Sequence, residues 1–495
     1  MVGAWFSDDE LDPRARALDN GTYLRNGPGV WEVGDHAFDH VFDGYGTLVR
    51  VSFQGAQGRA TGAHRQIESD AYKAARAHGR PLMREFSQLC PSEPGSLVDR
   101  LHHVVSHVSG AATSDNANTA VLPLGDGRVV CLAEVTKSSV LIDAETLGTV
   151  GKLRYTDKLW SPLQCTHPVV TRGGAEVLTL LPDFTRRGYL LTRMIAGSNK
   201  REVIGRVRCR GGTTAPAWVH SFAVTEKYVV MPEMPVRYSP ARMLMSERTP
   251  LYIMDWLPDS GSYMHVICRS TGNTVASVEV PPFVAFHFIN AYEEKGDDGA
   301  RASAVIVDCC EYYADPSIIQ ALALHRLRSP ETAKDFPDSR SRIFEKMGRV
   351  ARFRIPLDGS AMGELETVLD PDEHGRGVEL STINPSYVGK EYRYLYACTA
   401  HRPCNFFNAL TKMDLVEKET RSWHEEGTVP SEPFFVARPG ATNEDDGVVI
   451  STASTMDGDG YVLLLDAATF KEIARLRLPY GLPFGFHGCW IPDKS

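Results

Sequence analysis

The 495-residue chain has no uninterrupted apolar run of the roughly 18–20 residues that a membrane-crossing helix needs, so no such helix is expected. It also has no CxxC pair. Its ten cysteines are scattered, and Cys309 and Cys310 are adjacent, which does not favour a bridge between them. Cys131, Cys268 and Cys398 stand in apolar runs, where a free thiol behaves as a small hydrophobe. This usage predicts a reducing compartment and no structural disulfides. Positive charge is outweighed: 53 Lys and Arg against 62 Asp and Glu leave a net charge of −9. A nucleic-acid partner is therefore not expected, since phosphate binding needs a basic surface. A local membrane-contacting patch remains compatible with that balance.

Short catalytic signatures are absent too. There is no GxSxG, no Walker A motif and no HExxH. Asp457-Gly-Asp-Gly460 reads as turn chemistry, and Gly44-Tyr-Gly46 follows no phosphate-loop pattern. No Pro/Gly/Ser-rich linker divides the chain, which predicts one domain over 1–495. Asp8, Asp9, Glu10 and Asp12 make the N-terminus unlike a signal or transit peptide. Either the protein is cytosolic or a targeting segment is missing from this sequence.

What the chain does have is many short β-rich runs, at 47–53, 128–135, 177–181, 228–231, 251–256, 274–280, 304–308, 349–355, 392–398, 447–451, 461–465 and 472–478. Gly, Asp, Asn and Pro punctuate them, as expected for antiparallel strands joined by turns. One repeat is legible. Ile142-Asp-Ala-Glu-Thr-Leu and Leu465-Asp-Ala-Ala-Thr-Phe both read as strand, Asp-Ala-x-Thr turn, strand, which fits a propeller blade. Seven blades would leave about 70 residues for each, against roughly 40–50 in common propeller repeats, so the surplus must lie in long loops. Two stretches, 66–78 and 317–327, have helical patterning. A charged segment follows at 328–342.

Four histidines sit in apolar, strand-like settings far apart in the chain: His167 in Cys165-Thr-His-Pro, His220 in Trp218-Val-His-Ser-Phe222, His287 in Phe286-His-Phe-Ile-Asn290 and His487 in Gly485-Phe-His-Gly488. Imidazole is a common ligand for iron, copper and zinc. A lone histidine on an apolar strand is usually a satisfied core residue, and His102, His103 and His107 have a spacing closer to a metal motif. Glu134, Glu379 and Glu432 stand in apolar stretches where a bare carboxylate is costly. They are either partners for imidazole N–H groups or strand-end carboxylates facing water. The aromatics and prolines near the histidines (Pro281, Pro282, Phe283, Phe286, Phe288, Pro483, Phe484, Phe486, Trp490) line either an apolar tunnel or plain core. Residues 236–251 mix Met243, Leu244 and Met245 with Arg237, Arg242 and Arg248. They form either an interfacial helix that touches a leaflet or an ordinary covering helix.

The words around these residues carry a family resemblance. Asn26-Gly-Pro-Gly29, Phe42-Asp-Gly44, the four histidine words in order and Pro430-Ser-Glu-Pro-Phe434 resemble the carotenoid cleavage oxygenases. Tyr23-Leu-Arg-Asn-Gly-Pro-Gly29, His64-Arg-Gln-Ile-Glu-Ser69, Thr113-Ser-Asp-Asn-Ala-Asn-Thr119 and Gly481-Leu-Pro-Phe-Gly-Phe-His-Gly-Cys-Trp490 are similar to the plant carlactone synthase branch. Many relatives in the wider family carry Asp after the second histidine, and Ser221 here agrees with the carlactone branch. The resemblance implies an all-β, seven-bladed propeller with a helical and loop dome over the axis. It implies Fe2+ held by His167, His220, His287 and His487, with Glu134, Glu379 and Glu432 behind them. It further implies an apocarotenoid substrate, 9-cis-β-apo-10′-carotenal, converted with O2 to carlactone for strigolactone synthesis, in a plastid. The alternatives are ordinary cleavage of an all-trans apocarotenal to two carbonyl products, isomerohydrolase chemistry, and a silent apocarotenoid-binding propeller. The presence of all four histidines weighs against the last.

Overall fold

The computed structural model describes residues 2–5, 20–54, 59–87, 113–211, 215–244, 251–296, 302–334, 348–370, 376–404, 406–478 and 480–493. Seven antiparallel sheets follow one another around a ring, a seven-bladed β-propeller. Blade 2 is Ala120–Pro123, Val129–Leu132, Val140–Ile142 and Thr149–Lys152. Blade 3 is Val169–Thr171, Glu176–Asp183, Gly188–Ile195 and Arg201–Arg208. Blade 4 begins at Ala223–Val224, blade 5 at Ala285–Lys295, blade 6 at Arg376–Thr382 and blade 7 at Thr428–Pro430. Blade 1 takes strands from both ends of the chain, in the order Val2–Trp5, Arg59–Gln66, Tyr45–Gln54, Gly21–Val30, His487–Pro492.

Middle strands are buried on both faces and read as apolar runs. Every residue of Gly460–Asp466 is buried, as is all of Glu176–Asp183 except Asp183. Outer strands are wet: Glu419–His424 and Glu364–Thr367 contain no buried residue. Burial of each large aliphatic side chain contributes about 1.5–3 kcal/mol, so the contacts between blades dominate the stability. Val49, Val51 and Phe53 of blade 1 share one cluster with Val448, Val462 and Leu464 of blade 7.

The legible repeat is a structural turn. In blade 2, Asp143 accepts hydrogen bonds from the Thr146 backbone and hydroxyl, both at 2.7 Å, and Leu147 turns left-handed with φ 58°. In blade 7, Asp466 accepts from Thr469 at 2.8 and 2.6 Å, and Phe470 has φ 57°. Asp183 with Arg187 (φ 57°) and Asp414 with Lys418 (φ 58°) build related turns in blades 3 and 6. The side-chain acceptor satisfies turn amides that the ladder leaves open.

The ring closes by pairing Gly21–Val30 with His487–Pro492, in register Asn26 with His487 and Arg25 with Gly488. Arg25 is fully buried there. It donates to the Tyr23 hydroxyl at 2.8 Å, the Glu432 carbonyl at 3.1 Å, the Phe486 carbonyl at 2.9 Å and the Gly485 carbonyl. A Cβ at Gly485 would stand 2.1 Å from Arg25 Nε, and one at Gly27 2.6 Å from Gly485 Cα. These close approaches are why the Asn-Gly and Gly-Phe-His-Gly words exist.

Long excursions between strands cover the axis. One runs from the helix Asp70–His78 through residues 81–87 to 113–119. A second leaves blade 4 and carries the helix Pro240–Leu244. A third leaves blade 5 and carries the short helices Ile318–Ala321, Leu324–Leu327 and Pro330–Lys334. They touch one another and the blade 1 loop before Tyr45–Gln54: Arg84 Nη1 donates to the Met243 carbonyl at 2.6 Å, and the Leu324 N–H donates to the Asp39 carbonyl at 2.8 Å.

Two helical expectations need correction. The stretch 66–78 is helical only from Asp70, because Gln66 belongs to the strand Arg59–Gln66 and Ser69 caps the helix by accepting from Tyr72 N–H at 3.1 Å. The stretch 236–251 is not one helix. Val236–Tyr238 is a buried strand paired with Met254–Trp256, and Pro240–Leu244 is a single turn. Arg237 is only 1% exposed and pairs with Glu233 at 2.7 Å, so it cannot meet lipid headgroups. Met245–Pro250 lies outside the described residues. Among the described residues, no helix is long and apolar enough to cross a membrane.

Glu233 anchors a buried network, accepting also from His265 Nε2 at 2.7 Å and from the backbone of Arg210 and Gly211. Burial alone would raise its pKa, but His265 and Arg237 outweigh burial and hold it near 2 against an ordinary 4.5. A depressed carboxylate pKa stabilises the fold fully above pH 4.5, and the contribution disappears as pH falls toward 2. Glu233→Gln should therefore lower stability at neutral pH and flatten the acid-unfolding curve between pH 4.5 and 2. Parallel acid titrations followed by circular dichroism check this. Matching slopes would mean the network carries no net charge linkage.

Candidate metal centre

The inner strands of the blades, and the stretches that lead into them, deliver the four histidines. His287 is in the strand Ala285–Lys295, and His487 starts His487–Pro492. His167 and His220 were expected in strands. They instead occupy the irregular stretches that lead into Val169–Thr171 and Ala223–Val224. An irregular backbone lets both rings turn to the axis instead of alternating with the pleat.

All four rings converge. Ring centroids of His167 lie 4.8 Å from His220, 4.9 Å from His287 and 4.4 Å from His487, and His287 lies 4.9 Å from His487. One nitrogen each of His167, His220 and His287 falls within a 4.8 Å group. His102, His103 and His107 lie outside the described residues.

The three glutamates stand behind three of the rings. Glu134 Oε1 accepts from His220 Nδ1 and from the Trp218 indole N–H, both at 2.9 Å. Glu379 accepts from His287 Nδ1 and from the Leu380 N–H at 2.7 Å. Glu432 accepts from His487 Nδ1 at 2.8 Å and from the Gly488 N–H at 2.9 Å. A carboxylate only accepts, so each of these Nδ1 atoms carries hydrogen and each Nε2 presents its lone pair. Among the described residues no carboxylate pairs with His167.

Burial decides the electrostatics. It holds His167 well below the ordinary imidazole range, and the neighbouring rings push the same way. Burial also lowers His220 and His487, against the pull of Glu134 and Glu432. For Glu379, burial pushes up, but His287 and the Leu380 amide outweigh it, so its pKa lies below the ordinary value. Burial thus keeps His167, His220 and His487 neutral in a group backed by hydrogen-bonded carboxylates. His167 Nε2 and His220 Nε2 are 3.2 Å apart, a repulsive contact unless a proton or cation lies between them. His287 Nε2 is buried without any hydrogen-bond partner. Such an orphan is costly, and a metal ion would satisfy it. All-imidazole donors suit first-row metals better than Ca2+ or Mg2+. The residues therefore fit a transition-metal centre.

Above the cluster lies a cavity of about 400 Å³, lined mainly by apolar groups that include Phe42, Phe86, Trp218, Phe286, Phe484 and Phe486. His220, His287 and His487 face it. The aromatic and proline stretches thus divide. Phe286, Phe484 and Phe486 line the cavity, Phe283 is core, Trp490 packs on Phe53, and Pro281 and Pro282 are exposed. Phe42, Phe86, Phe406 and Phe407 also line it. Sequence reasoning missed their role, although Asn405-Phe-Phe-Asn408 is a visible aromatic pair.

Ser221 ties the site across two blades. Its hydroxyl donates to the Phe286 carbonyl at 2.6 Å and accepts from the Phe288 N–H at 3.0 Å, on either side of His287. A carboxylate at this position could do the second job but not the first.

Residues 16–492 match the family model for retinal pigment epithelial membrane protein, RPE65. Carotenoid cleavage dioxygenase 8 homolog A, chloroplastic, of Oryza sativa subsp. japonica is 65% identical over 474 residues, 96% of this chain and 83% of that protein. Carotenoid cleavage dioxygenase 8, chloroplastic, of Arabidopsis thaliana is 54% identical over 480 residues, 96% of this chain and 81% of its own length. Cobalt-substituted Synechocystis ACO superposes with a TM-score of 0.76 at 24% identity, covering 100% of this chain and 96% of that one. By fold and by sequence, the chain belongs to the RPE65 family, that of the carotenoid cleavage dioxygenases.

Proposed function

We propose that the chain is an Fe2+-dependent dioxygenase that converts 9-cis-β-apo-10′-carotenal and O2 to carlactone in the plastid, for strigolactone synthesis. The observation that carries this reading is the convergence of His167, His220, His287 and His487, three of them fixed by glutamates, at the floor of an apolar cavity. The likeness to chloroplastic carotenoid cleavage dioxygenase 8 proteins supports the substrate class and the compartment.

The four imidazoles would hold the metal through Nε2. Ferrous iron, when bound, supplies the dioxygen chemistry. The protein contributes geometry. Glu134, Glu379 and Glu432 fix ring orientation and tautomer, and they offset a cationic charge from behind the ligands. The aromatic walls exclude water and confine the extended polyene to a single path across the axis. Which double bond faces the histidines is set by where the chain's end groups stop in the cavity.

We also propose peripheral membrane contact at the cavity mouth, now centred on the turn Pro240–Leu244 and not on the whole of 236–251. Pro240, Met243 and Trp160 line the cavity, and Trp160 is 64% exposed. An exposed indole beside an apolar entrance suits an interfacial position.

Three outcomes test these readings. Reloading chelated protein with Fe2+ should raise its unfolding temperature, because only the native state binds the metal. Alanine at any of the four histidines should abolish that increment, metal uptake and turnover. Glu432→Gln should keep the fold but weaken iron retention by about 10–100-fold. Metal analysis and calorimetry decide both, and a histidine variant with full iron and activity is not a ligand variant. Second, anaerobic iron-loaded protein mixed with the apocarotenal and then with ¹⁸O2 should give labelled carlactone by mass spectrometry. Two simple carbonyl fragments would reassign it as an ordinary cleavage dioxygenase. Third, replacing Met243, Leu244 and Met245 by Ser should reduce co-flotation with liposomes. Unchanged flotation would make the Pro240–Leu244 turn a plain cover.

A further inference from the structure

The cavity has a second polar patch, remote in sequence from the histidines and their glutamates. Glu85 lines it, is 7% exposed, and leaves Oε1 without a hydrogen-bond partner. The carboxyl is held firmly in place. Arg84 bridges to Thr113, and the Ser114 N–H donates to the Arg84 carbonyl at 2.9 Å. This seats Glu85 against Ser114 and Asn116, which line the same wall.

The neighbouring polar groups are spoken for. Asp43 accepts from the Ser87 N–H at 2.8 Å, the His40 N–H at 3.1 Å and the Ser87 hydroxyl. Asn116 and Asn118 donate to backbone carbonyls of Phe42, Asp43 and Gly44 at 2.8–3.2 Å. The Tyr45 hydroxyl stands beside Glu85 and has no other close hydrogen-bond partner among the described residues. Among the described residues no ion pair includes Glu85. Burial, with Asp43 and Asp115 nearby, holds its pKa well above the ordinary carboxylate range. A neutral carboxyl has an O–H to give.

Apart from Glu379, which stands behind His287, Glu85 is the cavity's unsatisfied carboxyl, and a single such group suits a long apolar molecule with one oxygen. A hydrocarbon would leave that buried donor without a partner, whereas a carbonyl would satisfy it. We propose that Glu85 recognises the carbonyl oxygen of the apocarotenoid aldehyde, and so selects aldehydes over hydrocarbon polyenes of the same length. The inference rests on the apocarotenoid reading above. By fixing one end of the polyene, Glu85 is a positioning and specificity residue, not a group that touches the reacting bond.

The test uses the iron-loaded full chain without O2, with two ligands: 9-cis-β-apo-10′-carotenal and the polyene in which a methyl group replaces the aldehyde. Dissociation constants come from fluorescence quenching, and the carbonyl stretch of the bound aldehyde from difference infrared spectroscopy. Wild type should prefer the aldehyde and lower its carbonyl frequency relative to hexane. Glu85→Leu should lose about tenfold in aldehyde affinity, keep its hydrocarbon affinity and iron, and return the stretch toward the hexane value. Glu85→Gln, whose amide still donates, should stay within about threefold of wild type. A wild-type carbonyl stretch at the hexane value overturns the proposal without any variant. So does Glu85→Leu weakening both ligands alike, or neither. If wild type shows no aldehyde preference yet cleaves the aldehyde, only the role of Glu85 falls. If it neither binds nor cleaves apocarotenoids, the functional reading falls with it.

Discussion

The structure depends on one contact, the pairing of Gly21–Val30 with His487–Pro492 that closes the ring. Without it blade 1 loses the inner strand that the C-terminus supplies, and His487 has no place on the axis. The junction is locked by Arg25, whose guanidinium bonds to Tyr23 and to the carbonyls of Glu432, Gly485 and Phe486. It also lies 3.7 Å from the Glu432 carboxylate, which in turn holds His487. Closure and site assembly are therefore the same event. A buried guanidinium stripped of partners would cost several kcal/mol, so the junction is either fully made or not made.

Burial of the histidine cluster imposes the second constraint. Three carboxylates and one guanidinium surround the four rings, and burial keeps His167, His220 and His487 from charging. Formally the group carries two negative charges, at a depth where bare charge is expensive. A divalent cation among the Nε2 atoms would cancel that excess and satisfy His287 Nε2 at once. The same ion would turn the 3.2 Å approach of His167 and His220 from repulsion into shared ligation. The carboxylates touch the far nitrogens and never the axis, so they orient the rings and balance charge without occupying positions that substrate or O2 needs.

How far the sequence could be read follows from which interactions are local. Strand runs, the Asp-x-x-Thr turns and the glycines at ring closure are set by neighbours or by steric limits, and they are legible. The words around His220, His287 and His487 were legible because large aromatics, and at His487 glycines, stand beside those histidines. The conformation of His167 and His220 was not, since an apolar neighbourhood suggests a strand whether or not the backbone pleats. Residues 236–251 misled for a similar reason. Their Met and Arg content resembles an amphipathic helix, yet Arg237 is claimed by Glu233 across blade 4. Glu85 gave no signal at all. Arg84-Glu85-Phe86-Ser87 has no periodicity, and the burial of that carboxyl exists only once residues 113–119 and the neighbourhood of Asp43 close over it.

The division of labour between ring and dome explains how one architecture serves many polyenes. Each blade is a continuous ladder and neighbouring blades meet through buried aliphatic clusters, so the histidines cannot shift without disturbing a sheet. Part of the cavity wall comes from excursions that leave the blades and meet through apolar packing and a few bonds, such as those of Arg84 to the carbonyls of Arg242 and Met243. Changing a wall residue such as Phe42, Phe86 or Glu85 reshapes what fits while the axis stays as it is. Chemistry is then fixed by the most rigid part of the molecule, and substrate choice by the part whose alteration costs the fold least.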